Sequence, residues 1–174
     1  MLRGVRRTAP VGLVPAAWLT AIAAHTSQLS LTGLLIAHLV MAGFIAFFTV
    51  AGWSELSDGA LLVWRRVLVA GFAVTLAGVI GLLTTPPTDV LLGVSLFGWM
   101  LLPAVGLART AVLVSTTDGA WRYLAGSGLS IVGTGTVVVS LWAAVPGYAL
   151  IGLALVAAGQ TIGIGTATVR DTMS

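Results

Sequence analysis

The chain has 174 residues, 58% of them hydrophobic and only 7% charged, with a mean hydropathy of +1.09. A soluble domain carries about 25% charged residues, so lipid rather than water must solvate most of this surface, and an ordinary soluble enzyme is excluded. The absence of cysteine excludes disulfides, thiol chemistry and Cys-ligated metals.

A membrane-spanning helix needs roughly 20 apolar residues, and six such segments with short turns consume the whole chain. The first is expected at residues 9–24, after a basic start with Arg3, Arg6 and Arg7. Its Pro10 and Pro15 fall near the helix start, where proline is tolerated. The second covers residues 31–53, and residues 54–59 form a polar turn with Glu55 and Asp58. The third begins at Leu61 or Val67 and ends at Thr84. Thr85-Pro86-Pro87-Thr88-Asp89 is a rigid turn that no helix can continue through. The fourth covers residues 90–108, with Pro103 as a kink point. After a polar turn at residues 115–119, the fifth covers 120–144, Pro146-Gly147 breaks it, and the sixth covers 148–169. The expected architecture is an all-α, polytopic transmembrane bundle in a single domain, six helices as three helix hairpins.

All eight basic side chains are arginines, and all fall on one side of this pattern. Arg65, Arg66, Arg109 and Arg122 lie around the loops after the second and fourth segments. The loops after the first, third and fifth hold no arginine and a single acid, Asp89. By the positive-inside rule both termini are cytoplasmic in a multi-pass plasma-membrane protein. Trp53, Trp64 and Trp121 mark the inner boundary and Trp142 an outer one, as an aromatic belt does. The sequence pI of about 10.7 suggests nucleic acid only until the arginines are placed. At helix ends their partners are lipid phosphates. The absence of lysine and asparagine beside abundant Ala, Gly, Val and Leu fits a GC-rich prokaryotic genome. A rival reading of the N terminus is a signal peptide, with Ala21-Ile22-Ala23 as an A-x-A cleavage site.

Two cytoplasmic turns are alike. Ser57-Asp58-Gly59-Ala60 precedes Trp64-Arg65, and Thr117-Asp118-Gly119-Ala120 precedes Trp121-Arg122. A proline follows each aspartate 28 residues on, Pro86 and Pro146. The aspartate is expected to cap the incoming helix. Hairpin repeats would then be residues 1–57, 58–117 and 118–174. The first shares only its length and basic start. Trp64, Gly71, Gly78, Pro86, Gly93 and Gly98, echoed by Trp121, Gly128, Gly135, Pro146, Gly152 and Gly159, resemble the HdeD-like small six-helix membrane proteins. The resemblance covers the second and third hairpins. It implies a membrane protein related to acid stress, with no catalytic residue to carry over.

All five acids (Glu55, Asp58, Asp89, Asp118 and Asp171) fall in turns or at the end, and no arginine lies at mid-membrane. Ion-coupled transporters keep an ionisable group inside the membrane, which argues against an acid-coupled pump. His38 is the one side chain titrating near neutral pH that lies well inside a segment, while His25 ends the first segment on the same outer side. Such a pair could ligate a haem iron between neighbouring helices, although their depths differ. The plainer reading is that His38 bonds a helix backbone or hydroxyl and His25 sits in interfacial water. A pH-sensing role is chemically natural for His38.

Gln160 lies in Gly159-Gln160-Thr161-Ile162-Gly163, a GxxxG with Gly152 on the same face and Val156 interrupting it. Such a stripe lets helices approach closely, and a buried amide bonds across the contact. The fifth segment adds Gly126, Gly128, Ser130, Gly133, Thr134, Gly135 and Thr136. Its Gly-Thr-Gly-Thr run has no following Lys-Ser/Thr and is not a phosphate loop. His38, Gln160, Thr134 and Ser130 are the candidates for a pathway or pocket. No catalytic residue, metal site or resident cofactor is expected. The leading reading is a non-enzymatic membrane protein acting through packing, lipid, a second copy or a membrane partner. The alternatives are a small transporter or channel, and a haem protein using His38 and His25.

Overall fold

The computed structural model describes residues 2–114 and 119–173, and the side chains of residues 12–114, 119–145 and 147–167. Every regular element among them is a helix: α1 (Leu2–His25), α2 (Leu31–Ala51), α3 (Gly59–Leu83), α4 (Asp89–Leu113), α5 (Ala120–Ala143) and α6 (Pro146–Met173). The helices α2 to α6 are long and apolar enough to cross a membrane, whereas the apolar part of α1 is the shorter Gly12–His25.

Helix ends differ from expectation where charge was read as a boundary. Helix α3 starts at Gly59 and carries Arg65 and Arg66 inside its early turns, and α4 runs through Arg109 to Leu113. Arginine has good helix propensity, and its long stem lets the charge reach the interface from inside a helix. Helix α1 begins at Leu2, so Pro10 and Pro15 lie well inside it and not in its first turn. Ser30 caps α2 by accepting from the Gly33 N–H at 3.1 Å. Asp58 occupies the N-cap of α3 with extended backbone but makes no side-chain cap bond, contrary to the capping expected of it. Its counterpart Asp118 lies outside the described residues.

Helices α5 and α6 share the most extensive contact, followed by α3 with α4 and α4 with α5. Helix α1 lies on α6 and α2 on α3, while α1 and α2 meet only slightly. The first two helices therefore dock onto opposite parts of the bundle instead of onto each other. The main core joins Trp18 of α1, Met100 of α4, Val137 of α5, and Leu153 and Val156 of α6. A second cluster, toward the arginine-bearing end, joins Leu107, Ala111 and Tyr123. Large apolar side chains face outward on every span, Val50, Ile80, Val90, Ile131 and Ile151 among them. In water that surface would aggregate; in a bilayer it is the lipid contact.

Candidate functional site

The polar centre of the molecule starts from a proline. Pro103 lies inside α4 and has no N–H, so the carbonyl of Trp99, four residues earlier, loses its helical partner. Gln160 of α6 supplies the missing donor: its Nε2 donates to the Trp99 carbonyl at 2.9 Å. The other end of the amide accepts from Trp18 Nε1 of α1 at 3.0 Å. The Trp99 indole continues the chain, with Nε1 donating to Thr75 Oγ1 of α3 at 2.9 Å. Thr75 in turn donates to the Gly71 carbonyl at 2.8 Å. One run of hydrogen bonds thus ties α1, α6, α4 and α3. Gln160 is 2% exposed and Thr75 is fully buried, which leaves each group no water to fall back on. An unpaired polar group is costly in such a setting. Among the described residues no buried side-chain nitrogen or oxygen lacks a partner.

The α5–α6 interface closes beside this chain. A Cβ on Gly126 would lie 2.5 Å from the Gly159 carbonyl oxygen, and one on Gly159 equally close to that of Gly126. Gly133 and Gly152 repeat the arrangement at 2.5 Å two turns away. The helices run antiparallel with their backbones in contact at two levels; Val156 packs on Gly133 between the levels and Val137 on Gly152 beyond them. The GxxxG of α6 is divided: Gly159 faces α5, whereas Gly163 makes room for Leu107 of α4.

The pathway candidates divide accordingly. Ser130 donates to the Gly126 carbonyl at 2.8 Å, and Thr134 to the Ser130 carbonyl at 2.7 Å. Both hydroxyls are committed to their own helix. Ser130 lies beside Gly159, so it and Gln160 are close in the fold, but they share no hydrogen bond. His38 stands apart on α2, with Nδ1 bonded to the Leu34 carbonyl at 2.9 Å. A carbonyl can only accept, so Nδ1 carries a proton. Nε2 abuts Gly78 of α3, 2.7 Å from where its Cβ would be, and a haem iron on that nitrogen would have to displace α3. His25 is exposed at the end of α1. The members of the haem pair thus face different surroundings.

At the opposite end, the Arg65 guanidinium stacks 4.7 Å over the Trp53 ring. That of Arg122 lies 5.6 Å from the ring of Trp121. Arg66 and Arg109 are exposed.

No protein-family model, curated protein or solved structure matches this chain.

Sequence reasoning singled out Gln160 and missed its partners. The available signal was Trp99-x-x-x-Pro103, which frees a carbonyl at mid-membrane depth and calls for a donor from another helix. Thr75 and Trp18 offered no comparable mark.

Proposed function

We propose that this chain is a small, non-enzymatic multi-pass protein of the plasma membrane, with both termini cytoplasmic, that acts as a packed scaffold presenting its surface to lipid or a membrane partner. The observation that carries this reading is the internal bonding of Gln160, Ser130 and Thr134. Polar groups committed to each other and to helix carbonyls hold a bundle together; a transport pathway needs some of them turned toward a substrate. The exposed Arg66 and Arg109, with Arg65 and Arg122 against tryptophans, supply an end suited to anionic headgroups. The resemblance to HdeD-like proteins adds stress protection as the physiological setting.

Native mass spectrometry of the protein purified in mild detergent tests the scaffold reading. Retained lipid or a second chain is the expected result, and a bound haem would overturn it. Flux into liposomes that Gln160→Leu abolishes while the fold persists would replace scaffold with transporter. Reporter fusions at each end check the orientation, with both expected to signal from the cytoplasm.

A further inference from the structure

Helix α2 is the least embedded of the five spanning helices. Only 11% of its span is buried, against 33 to 44% in the others. It rests on α3 with slight contact to α1, and it turns Ile36, Leu39, Val40, Phe44 and Phe47 outward. Little area therefore holds it to the bundle. Beyond its first turn the polar side chains of α2 are His38 and, in the last turn, Thr49, which bonds back to the Ile45 carbonyl at 2.7 Å. His38 Nδ1 is likewise bonded within α2, which leaves Nε2 to face the rest of the molecule.

That nitrogen meets a built recess. Gly78 of α3 lacks the Cβ that would stand 2.7 Å from His38 Nε2 and 2.6 Å from its Cδ2. The same absent Cβ would stand 2.7 Å from the Ser95 Oγ of α4. One glycine thus lets an imidazole from α2 and a hydroxyl from α4 converge over α3. Ser95 is 4% exposed and Gly78 is buried. Among the described residues no charge shares this level. Helix α3 carries Arg65 and Arg66 near its opposite end. Helix α4 carries Asp89 in its first turn, about 9 Å along the axis from Ser95 at 1.5 Å per residue, and Arg109 near its far end. Helix α1 contributes His25 at its exposed terminus.

We infer that His38 is a proton-binding site that latches α2 to the bundle, seated over Gly78 when Nε2 is bare and released when Nε2 takes a proton. In the neutral ring, Nδ1–H bonds the Leu34 carbonyl and Nε2 is an uncharged acceptor against the Gly78 backbone. Protonation makes both nitrogens donors and places a full charge in a recess with no carboxylate. Ionic side chains at such depth are costly and move toward water or a partner. Because α2 has little other burial, that cost falls on its docking, and the bundle responds to pH through one helix.

The lack of native cysteine makes the test direct. Spin labels on Val40→Cys of α2 and Leu141→Cys of α5, both exposed positions, report the distance between α2 and the opposite part of the bundle. The protein is held in phosphatidylcholine nanodiscs. Between about pH 8 and about pH 5, the distance distribution should lengthen or broaden. His38→Gln, which never charges, should keep the high-pH distribution throughout. Gly78→Ala, whose Cβ meets the ring, should show the released distribution at both ends. An unchanged distribution in the otherwise native protein overturns the proposal without any site variant. A response kept in His38→Gln, or abolished by His25→Gln instead, overturns it as well.

Discussion

Helices α3 and α4 and helices α5 and α6 are both antiparallel pairs rich in glycine, yet they use glycine in opposite ways. Between α5 and α6 glycine meets glycine, and each missing Cβ is filled by the other helix's carbonyl oxygen. Between α3 and α4, away from the turn where Gly81 also meets backbone, glycine meets a side chain. Gly71 takes the ring of Trp99, Gly98 takes Val74, and Gly78 takes Ser95 and the His38 ring of α2. In the first interface the nearest atoms are backbone oxygens, which cannot swing aside. The second is a set of recesses whose occupants can move, and it is where the polar chain and α2 attach. Equal glycine spacing in sequence thus encodes a rigid seam in one pair and receptive sockets in the other.

The contrast can be broken most severely at Gly133. In Gly133→Ala the Cβ would sit 2.5 Å from the Gly152 carbonyl oxygen and 2.9 Å from the Val156 nitrogen, so the helices must separate. A loss of about 3 kcal/mol, the upper end of overpacking costs, is expected from unfolding titrations in mixed micelles. At Gly71→Ala the clash is as close, 2.5 Å, but with the end of the Trp99 ring. The ring can turn at the cost of its bond to Thr75, for an expected loss of about 1–2 kcal/mol; a change in tryptophan emission should accompany it. Trp18→Phe keeps most of the packing of α1 on α6 and removes one donor to Gln160, for about 1 kcal/mol. A double-mutant cycle with Gln160→Leu should return a coupling of about 0.6 kcal/mol, typical of such bonds in membranes. The smallest effect, of opposite sign, belongs to Gly128→Ala. Nothing lies within 4 Å of its Cβ position, so greater helix propensity should stabilise by up to about 1 kcal/mol. The same change two residues earlier, Gly126→Ala, should destabilise, and the pair measured side by side separates seam from surface.

The number and type of the elements were legible in the sequence because hydrophobic length and turn chemistry are local properties. The glycine contacts were not. The repeat pattern pairs Gly71 and Gly78 with Gly128 and Gly135, but only the first two are buried; the α5 seam uses Gly126 and Gly133. Spacing marks a periodic face without saying which of two adjacent faces meets a partner, since a 7-residue repeat fits either. Gln160 was legible as a buried amide that bonds a neighbouring helix; that it bonds α1 and α4, and not α5 across the glycine stripe, was not. Its acceptor depended on Pro103 in α4 and its donor on Trp18 in α1, and their meeting is a property of the packed bundle. The slight contact between α1 and α2 was equally hidden. A short turn implies adjacency, but a core tryptophan on α1 and a histidine recess beside α2 draw the two helices apart.

In the scaffold reading, Gln160 holds the bundle together and does not line a route through it. Its most direct test is the thermal unfolding midpoint of Gln160→Leu in mild detergent, beside the unsubstituted protein. Leucine keeps the volume and leaves the Trp99 carbonyl and the Trp18 indole without partners, so a clearly lowered midpoint is expected, corresponding to about 1–3 kcal/mol. A midpoint equal to or above that of the unsubstituted protein would contradict the claim and return Gln160 to the candidates for contact with a substrate.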